Sequence, residues 1–196
     1  MKKLTALLLT LVVGMSFAGC GNKNVAPAEN GKTDNKTESK KYVIATDKGF
    51  SPFEFQDEKG NIIGIDMDIL AEVAKDQGFE YEIQYVGWDA AIAACQAGQA
   101  DAMIAGASIT DERKNSGWTF SDGYYDATQG MAVEKNSAIK GFEDLKGQKV
   151  AVKNGTMSNN YAESIKDKYG FEVVTFSTSP DMYQAVLGGQ VAACID

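Results

Sequence analysis

Three observations predict an α/β fold in two lobes. From residue 42 onward, short β-branched or apolar runs alternate with helical patterns, as parallel strands joined by helices require. The same strand–helix–strand order starts again beyond residue 130. A weak internal echo relates the two stretches: the helix, glycine and strand of CQAGQADAMIA (95–105) recur in VLGGQVAACID (186–196), with Ala192 where the first copy has Asp101. Glycine is favoured at any helix-to-strand joint, so the echo supports the division without carrying it.

The elements follow in order. YVIAT at 42–46 reads as a buried strand, and Asp66 is expected to cap a helix that runs through Lys75 and stops at Gly78. YEIQYV is a strand, DAAIAACQAG a helix and DAMIAG a strand. After a TDERK turn, WTFS and TQGMAVE read as extended and lead out of the first lobe. In the second stretch KVAVK is a strand, SNNYAESIKDKYG a helix stopped by Gly170, and EVVTF a strand. Ser179 and Pro180 suit the N-cap and first position of the helix DMYQAVLGG, which leads into the strand VAACID. The expected partition is an export signal at 1–20, a tether at 21–41, lobe 1 at 42–130 and lobe 2 at 131–196, the second lobe being incomplete.

The amino end and the charge bound the compartment and the partners. Lys2 and Lys3 precede an apolar run, Leu4 to Ala18, of signal-peptide length. It ends in Phe17-Ala18-Gly19-Cys20, which resembles a bacterial lipobox with Phe17 in place of the preferred leucine; that resemblance implies lipidation at Cys20. Residues 21–41 contain too little apolar surface to fold, and a coil of that length reaches about 25 Å. A formal charge of −8 makes nucleic acid an unsuitable partner. Histidine is absent, which excludes Ser-His-Asp, Cys-His and His-ligated metal chemistry. Cys95 and Cys194 have neither redox-pair nor zinc spacing and are expected to be buried free thiols. No cofactor is implied.

Arg113 is the only arginine among 19 basic residues. Ordinary solvated charge is thus left to lysine, and the one planar fork is placed in GASITDERK (106–114), behind Gly106, Ser108 and Thr110. Such a group suits capture of a carboxylate. The competing reading is a surface arginine paired with a neighbouring acid, worth well under a kcal/mol.

With GFSPFEF (49–55), GIDMDILAEVA (64–74), GASITDERK (106–114), FSDGYY (120–125) and VKNGT (152–156), residues 42–196 resemble the polar amino acid solute-binding proteins of bacterial ABC importers, in their lipoprotein form. The resemblance implies a two-lobed fold of the type II periplasmic-binding-protein kind, in a chain that members of the family continue beyond Asp196. It also implies capture of a free amino acid, delivery to a membrane permease and no enzymatic step. A lipid-anchored monomer outside the cytoplasm is expected.

A zwitterion needs its carboxylate, ammonium and side chain held differently. Arg113 can fork onto the carboxylate, with Ser108 and with Thr156 at a helix start. The resemblance places Asp196 opposite the ammonium, with the Gly106 carbonyl and Ser108; without it, Asp196 reads as a solvated terminal acid. It matches Phe50 and Trp88 to the aromatic walls around the ligand side chain, although either could be an ordinary core aromatic. Asp47 matches the position that meets the distal end. A carboxylate there selects for a donor and leaves glutamine, lysine, arginine and histidine open, with glutamine favoured by the overall pattern. Two other classes compete: a dehydratase acting on prephenate or arogenate, and a ligand-sensing ectodomain. The first needs a general acid, for which Glu54 and Glu112 are the candidates; both read as solvated or capping acids.

Overall fold

The computed structural model describes residues 40–196. The expected signal and Cys20, with all but the last two residues of the 21–41 stretch, lie outside the described residues.

The first sheet is built from β1 (Lys41–Thr46), β4 (Glu80–Tyr85) and β5 (Ala102–Met103) in the order β4-β1-β5, all parallel. Helices α1 (Ile65–Gln77) and α2 (Trp88–Gln96) make the crossovers, and a short antiparallel hairpin, β2 (Phe55–Gln56) with β3 (Ile62–Ile63), precedes α1. Its core is built from small side chains: Ala45, Ala91, Ala94 and Ala100, with Val43, Val86 and Met103 packed on them. A short helix, α3 (Asp111–Asn115), follows, with the Thr110 hydroxyl accepting from the Arg113 N–H at its start.

The second sheet has the order β6-β9-β7-β8, formed by β6 (Met131–Ala132), β7 (Lys149–Lys153), β8 (Glu172–Phe176) and β9 (Ala193–Ile195). Only β6 is antiparallel to its neighbour. Helices α4 (Met157–Tyr169) and α5 (Ser179–Leu187) connect the parallel strands. Successive side chains of β7 point to opposite faces, and both faces are covered: Val150 and Val152 pack with Leu145, Ala162, Phe171 and Ile195, while Ala151 packs with Met182, Ala185, Val186 and Cys194. No helix among the described residues is long and apolar enough to cross a membrane.

Several sequence expectations are corrected. Asp66 does not cap α1: Gly64 is the N-cap residue, and Asp66 lies in the first turn with its side chain used elsewhere. The free N–H groups of Ile65 and Asp66 are satisfied by the Pro52 and Phe53 carbonyls at 3.0 Å, so the backbone of the turn before β2 caps the helix. That close approach requires glycine, since a Cβ on Gly64 (φ 130°) would stand 2.2 Å from the Phe53 oxygen. Thr178, not Ser179, caps α5, accepting from the Asp181 N–H at 3.2 Å; Ser179 and Pro180 are its first two residues. WTFS forms no strand, and the extended TQGMAVE and DAMIAG runs pair only over Met131–Ala132 and Ala102–Met103. Cys194 is buried, and burial pushes its thiol up to about 11, but Cys95 is only half-buried; both are free.

Candidate functional site

Asp47, Gly106, Thr156 and Asp196 each lie just beyond the carboxyl end of a parallel strand, and Trp88 opens the helix that follows β4. Open α/β sheets bind ligands at that edge, where helix starts and loop amides converge. The two lobes meet there across a cleft. A cavity of about 50 Å³ is lined by Phe50, Trp88, Ser108, Arg113, Thr156 and Asp196, together with Ala105, Gly106, Lys153 and Met157. Seven of the eight residues singled out from the sequence therefore share one small space. The eighth, Asp47, lies behind it. A larger depression of about 450 Å³ near Glu134, Lys149 and Gln190 brings none of them together.

Arg113 is held from several sides. Its Nη1 donates to the Ser108 carbonyl at 2.8 Å and its Nη2 to the Gly155 carbonyl of the other lobe at 3.4 Å. The guanidinium carbon lies 5.1 Å from the Trp88 ring and 5.2 Å from the Trp118 ring, in cation–π range of both. Among the described residues no carboxylate pairs with it within salt-bridge distance, so the competing reading of a surface ion pair fails. Burial lowers its pKa, and the Glu112 charge, which does not reach it as an ion pair, partly opposes that shift.

The Phe50 ring, stacked on Phe53 with centroids 5.1 Å apart, faces the cavity, and Gly106 closes against it. A Cβ on Gly106 (φ 52°) would come within 2.8 Å of the Phe50 ring, which explains the glycine there. Trp88 is buried and donates its indole N–H to the Gly155 carbonyl at 3.2 Å, a second bond between lobes. A third runs from the Asn154 amide to Asp89 at 3.3 Å. Thr156 caps α4 and also donates its hydroxyl to the Lys153 carbonyl at 2.8 Å. Asp196 accepts a hydrogen bond from the Tyr183 hydroxyl. Burial raises the Asp196 pKa, and the Tyr183 bond opposes that rise by favouring the anion.

Asp47 is fully buried and forms an ion pair with Lys153 of the opposite lobe. The Lys153 ammonium lies 5.5 Å from the Phe50 ring and 5.8 Å from the Trp88 ring. Sequence reasoning gave Lys153 no role, because a lysine closing the strand KVAVK looks like a solvated strand end. Trp118 was missed for a similar reason, being an aromatic in an irregular loop.

The expectation that Glu54 and Glu112 are both solvated or capping acids holds only for Glu112, which is exposed. Glu54 is fully buried with neither carboxyl oxygen hydrogen-bonded, and burial followed by the nearby Asp66 and Asp47 charges pushes its pKa up to about 10. Neither glutamate lines the cavity.

The model of bacterial extracellular solute-binding proteins, family 3, matches residues 42–186. The chain belongs to that family. This solute-binding protein is 31% identical over 195 residues to an arginine-binding extracellular protein of Bacillus subtilis, covering 100% of this chain and 72% of the relative. A glutamine-binding protein of an ABC transporter in the same organism is 35% identical over 208 residues, covering 97% and 72%. A histidine-binding protein of Neisseria gonorrhoeae, described as probable, is 36% identical over 149 residues, covering 74% of this chain and 52% of that one. Among solved structures, an ancestral arginine-binding protein bound to glutamine superposes with a TM-score of 0.74 at 36% identity, covering 80% of this chain and 68% of that chain. An ancestral arginine-binding protein bound to arginine gives 0.74 at 36%, covering 80% and 69%. The family's two-lobed fold is thus also the fold of this solute-binding protein, and its place is extracytoplasmic.

Proposed function

We propose that this chain captures free L-glutamine outside the cytoplasm and hands it to the membrane permease of an ABC importer, as a lipid-anchored monomer and without chemical conversion. The observation that carries the choice of ligand is the Asp47–Lys153 pair. It sets an acceptor and a donor side by side at the back of the cleft, flanked by Phe50 and Trp88. A side-chain amide satisfies both at once, its NH₂ donating to Asp47 and its oxygen accepting from Lys153. A guanidinium or ammonium would bring a second cation against Lys153, a like-charge contact that disfavours arginine and lysine. The relatives that support amino acid capture bind arginine, glutamine or histidine, so this pair, and not the family, argues for glutamine.

The remaining poles follow from charge. The ligand carboxylate fits Arg113, assisted by Ser108 and by Thr156 at the start of α4. The ammonium fits Asp196 and the Gly106 carbonyl. A cavity of about 50 Å³ is far below the roughly 300–1,000 Å³ of small-molecule pockets, so a ligand enters by parting the lobes and the Gly155 and Lys153 contacts re-form around it. Dehydration of a cyclic acid finds no support in the cavity, where neither Glu54 nor Glu112 is present.

A thermal-shift panel of L-glutamine, L-arginine, L-lysine, L-histidine and prephenate tests this reading. At about 100 Kd a ligand should add about 2.7 kcal/mol of stability. L-glutamine is expected to give the largest shift. A larger shift with L-arginine would overturn the choice of ligand, and no shift with any amino acid would overturn capture itself.

A further inference from the structure

Next to the cleft lies a pair of acids, Glu54 and Asp66, that do not line the cavity. Glu54 and Asp66 are both fully buried. Asp66 is well supplied with donors: its Oδ2 accepts from the Gly106 N–H at 2.7 Å and its Oδ1 from the Tyr124 hydroxyl at 2.8 Å. It also occupies the first turn of α1, where the helix dipole favours an anion. Glu54 has none of this. Both its oxygens are buried without a hydrogen-bond partner.

The charges that face Glu54 are Asp66 from α1, Asp47 from the end of β1 and Lys153 from β7; the Tyr85 and Tyr124 hydroxyls are its other titratable neighbours. The one cation, Lys153, is already bound to Asp47. An unpaired carboxylate in such a place is among the costliest arrangements a protein interior can hold, whereas a neutral carboxyl group has an O–H to donate. Asp66 retains lone pairs, since each of its oxygens uses one, and it has no cation, whereas Asp47 is already neutralised by Lys153.

We propose that Glu54 is a neutral acid that shares its proton with Asp66, and that this buried pair is a positioning device for Gly106, the backbone unit placed against the ligand ammonium. The Glu54 proton allows two carboxyl groups to coexist there, which keeps Asp66 aimed at the Gly106 amide. The inference rests on the amino acid capture proposed above for its second half only. The protonation of Glu54 is a property of the fold without ligand.

The test has two arms on the full chain. In the first, wild type and Glu54→Gln are unfolded in urea without ligand across about pH 6 to 8. Unfolded glutamate has released its proton above about pH 4.3, while the folded state retains it, so rising pH favours unfolding of wild type alone. The folding constant of wild type relative to E54Q is expected to fall about tenfold per pH unit. Parallel pH dependences would overturn the shared proton. In the second arm, calorimetric titration with L-glutamine compares wild type, Asp66→Asn and Tyr124→Phe. D66N, whose amide cannot serve all three donors, is expected to weaken binding at least about tenfold, and Y124F, which removes one donor, about threefold. Affinities within about twofold of wild type in Y124F and in folded D66N would overturn the positioning role. Should wild type bind no amino acid, the capture reading falls while the first arm still decides the protonation.

Discussion

Two cations face the cleft from opposite lobes, and they differ in what surrounds them. Arg113, from lobe 1, is half-buried between two indoles and donates only to backbone carbonyls. Lys153, from lobe 2, is buried and ion-paired with Asp47. A guanidinium with dipoles but no counter-ion has full charge to offer an incoming carboxylate. An ammonium already neutralised can offer a hydrogen bond, and little more, to a neutral group. In the proposed mode of capture the same nominal charge therefore serves two purposes, one end of the ligand being read by charge and the other by dipole.

The strongest way to break this contrast is to remove the neutralised cation. Lys153→Met leaves Asp47 buried and unpaired in the closed form, at a cost of about 3–5 kcal/mol. L-glutamine affinity should fall by orders of magnitude while the preference shifts toward L-arginine, whose guanidinium can replace the lost charge; competition titration of the two ligands measures both effects. Next in size is Arg113→Lys, which keeps the charge and loses the fork. It should weaken L-glutamine binding by about 1.5–3 kcal/mol in calorimetry, and unchanged affinity would remove Arg113 from its role.

Removing one of the indoles that hold the free cation should matter less. Trp118→Ala is expected to cost about 0.5–1 kcal/mol of binding, read in the same titration, because one cation–π contact is lost and Trp88 remains. The smallest effect concerns the anion opposite. Asp196 must be ionised to hold the ligand ammonium, and its raised pKa means that affinity declines on acidification at a higher pH than for an ordinary aspartate. The Tyr183 hydroxyl bond favours the ionised form. Tyr183→Phe should thus move the acid limb of the affinity–pH profile upward, with little change near neutrality; a downward move would contradict the sign.

The parts of the molecule that were legible in the sequence are those whose cause is local. KVAVK and EVVTF read as strands because a strand covered on both faces has a continuous apolar run, and Gly78 and Gly170 end their helices in the left-handed conformation that glycine adopts freely. Asp66 was misplaced as a cap because the true acceptors for α1 are carbonyls of the turn before β2, which no side-chain pattern announces. Lys153 was overlooked because its partner lies 106 residues away, and only the meeting of two lobes converts a strand-end lysine into a buried ion-pair partner. Glu54 carries the same lesson with the opposite sign. Within GFSPFEF it reads as a solvated or capping acid, and only the fold reveals that it is fully buried, with Asp66 and Asp47 as its charged neighbours.

The two lobes also communicate optically. The chain has two tryptophans, and both flank Arg113, one of them bonded through its indole N–H to the Gly155 carbonyl of the opposite lobe. Separation of the lobes would break that bond and expose an indole that is 5% exposed in the closed cleft. Indole emission depends on solvent contact and on the fate of the N–H, so the protein carries its own unlabelled fluorophore at the seam that opens. Stopped-flow emission could then follow domain closure directly, separating the encounter with ligand from the clasp that follows.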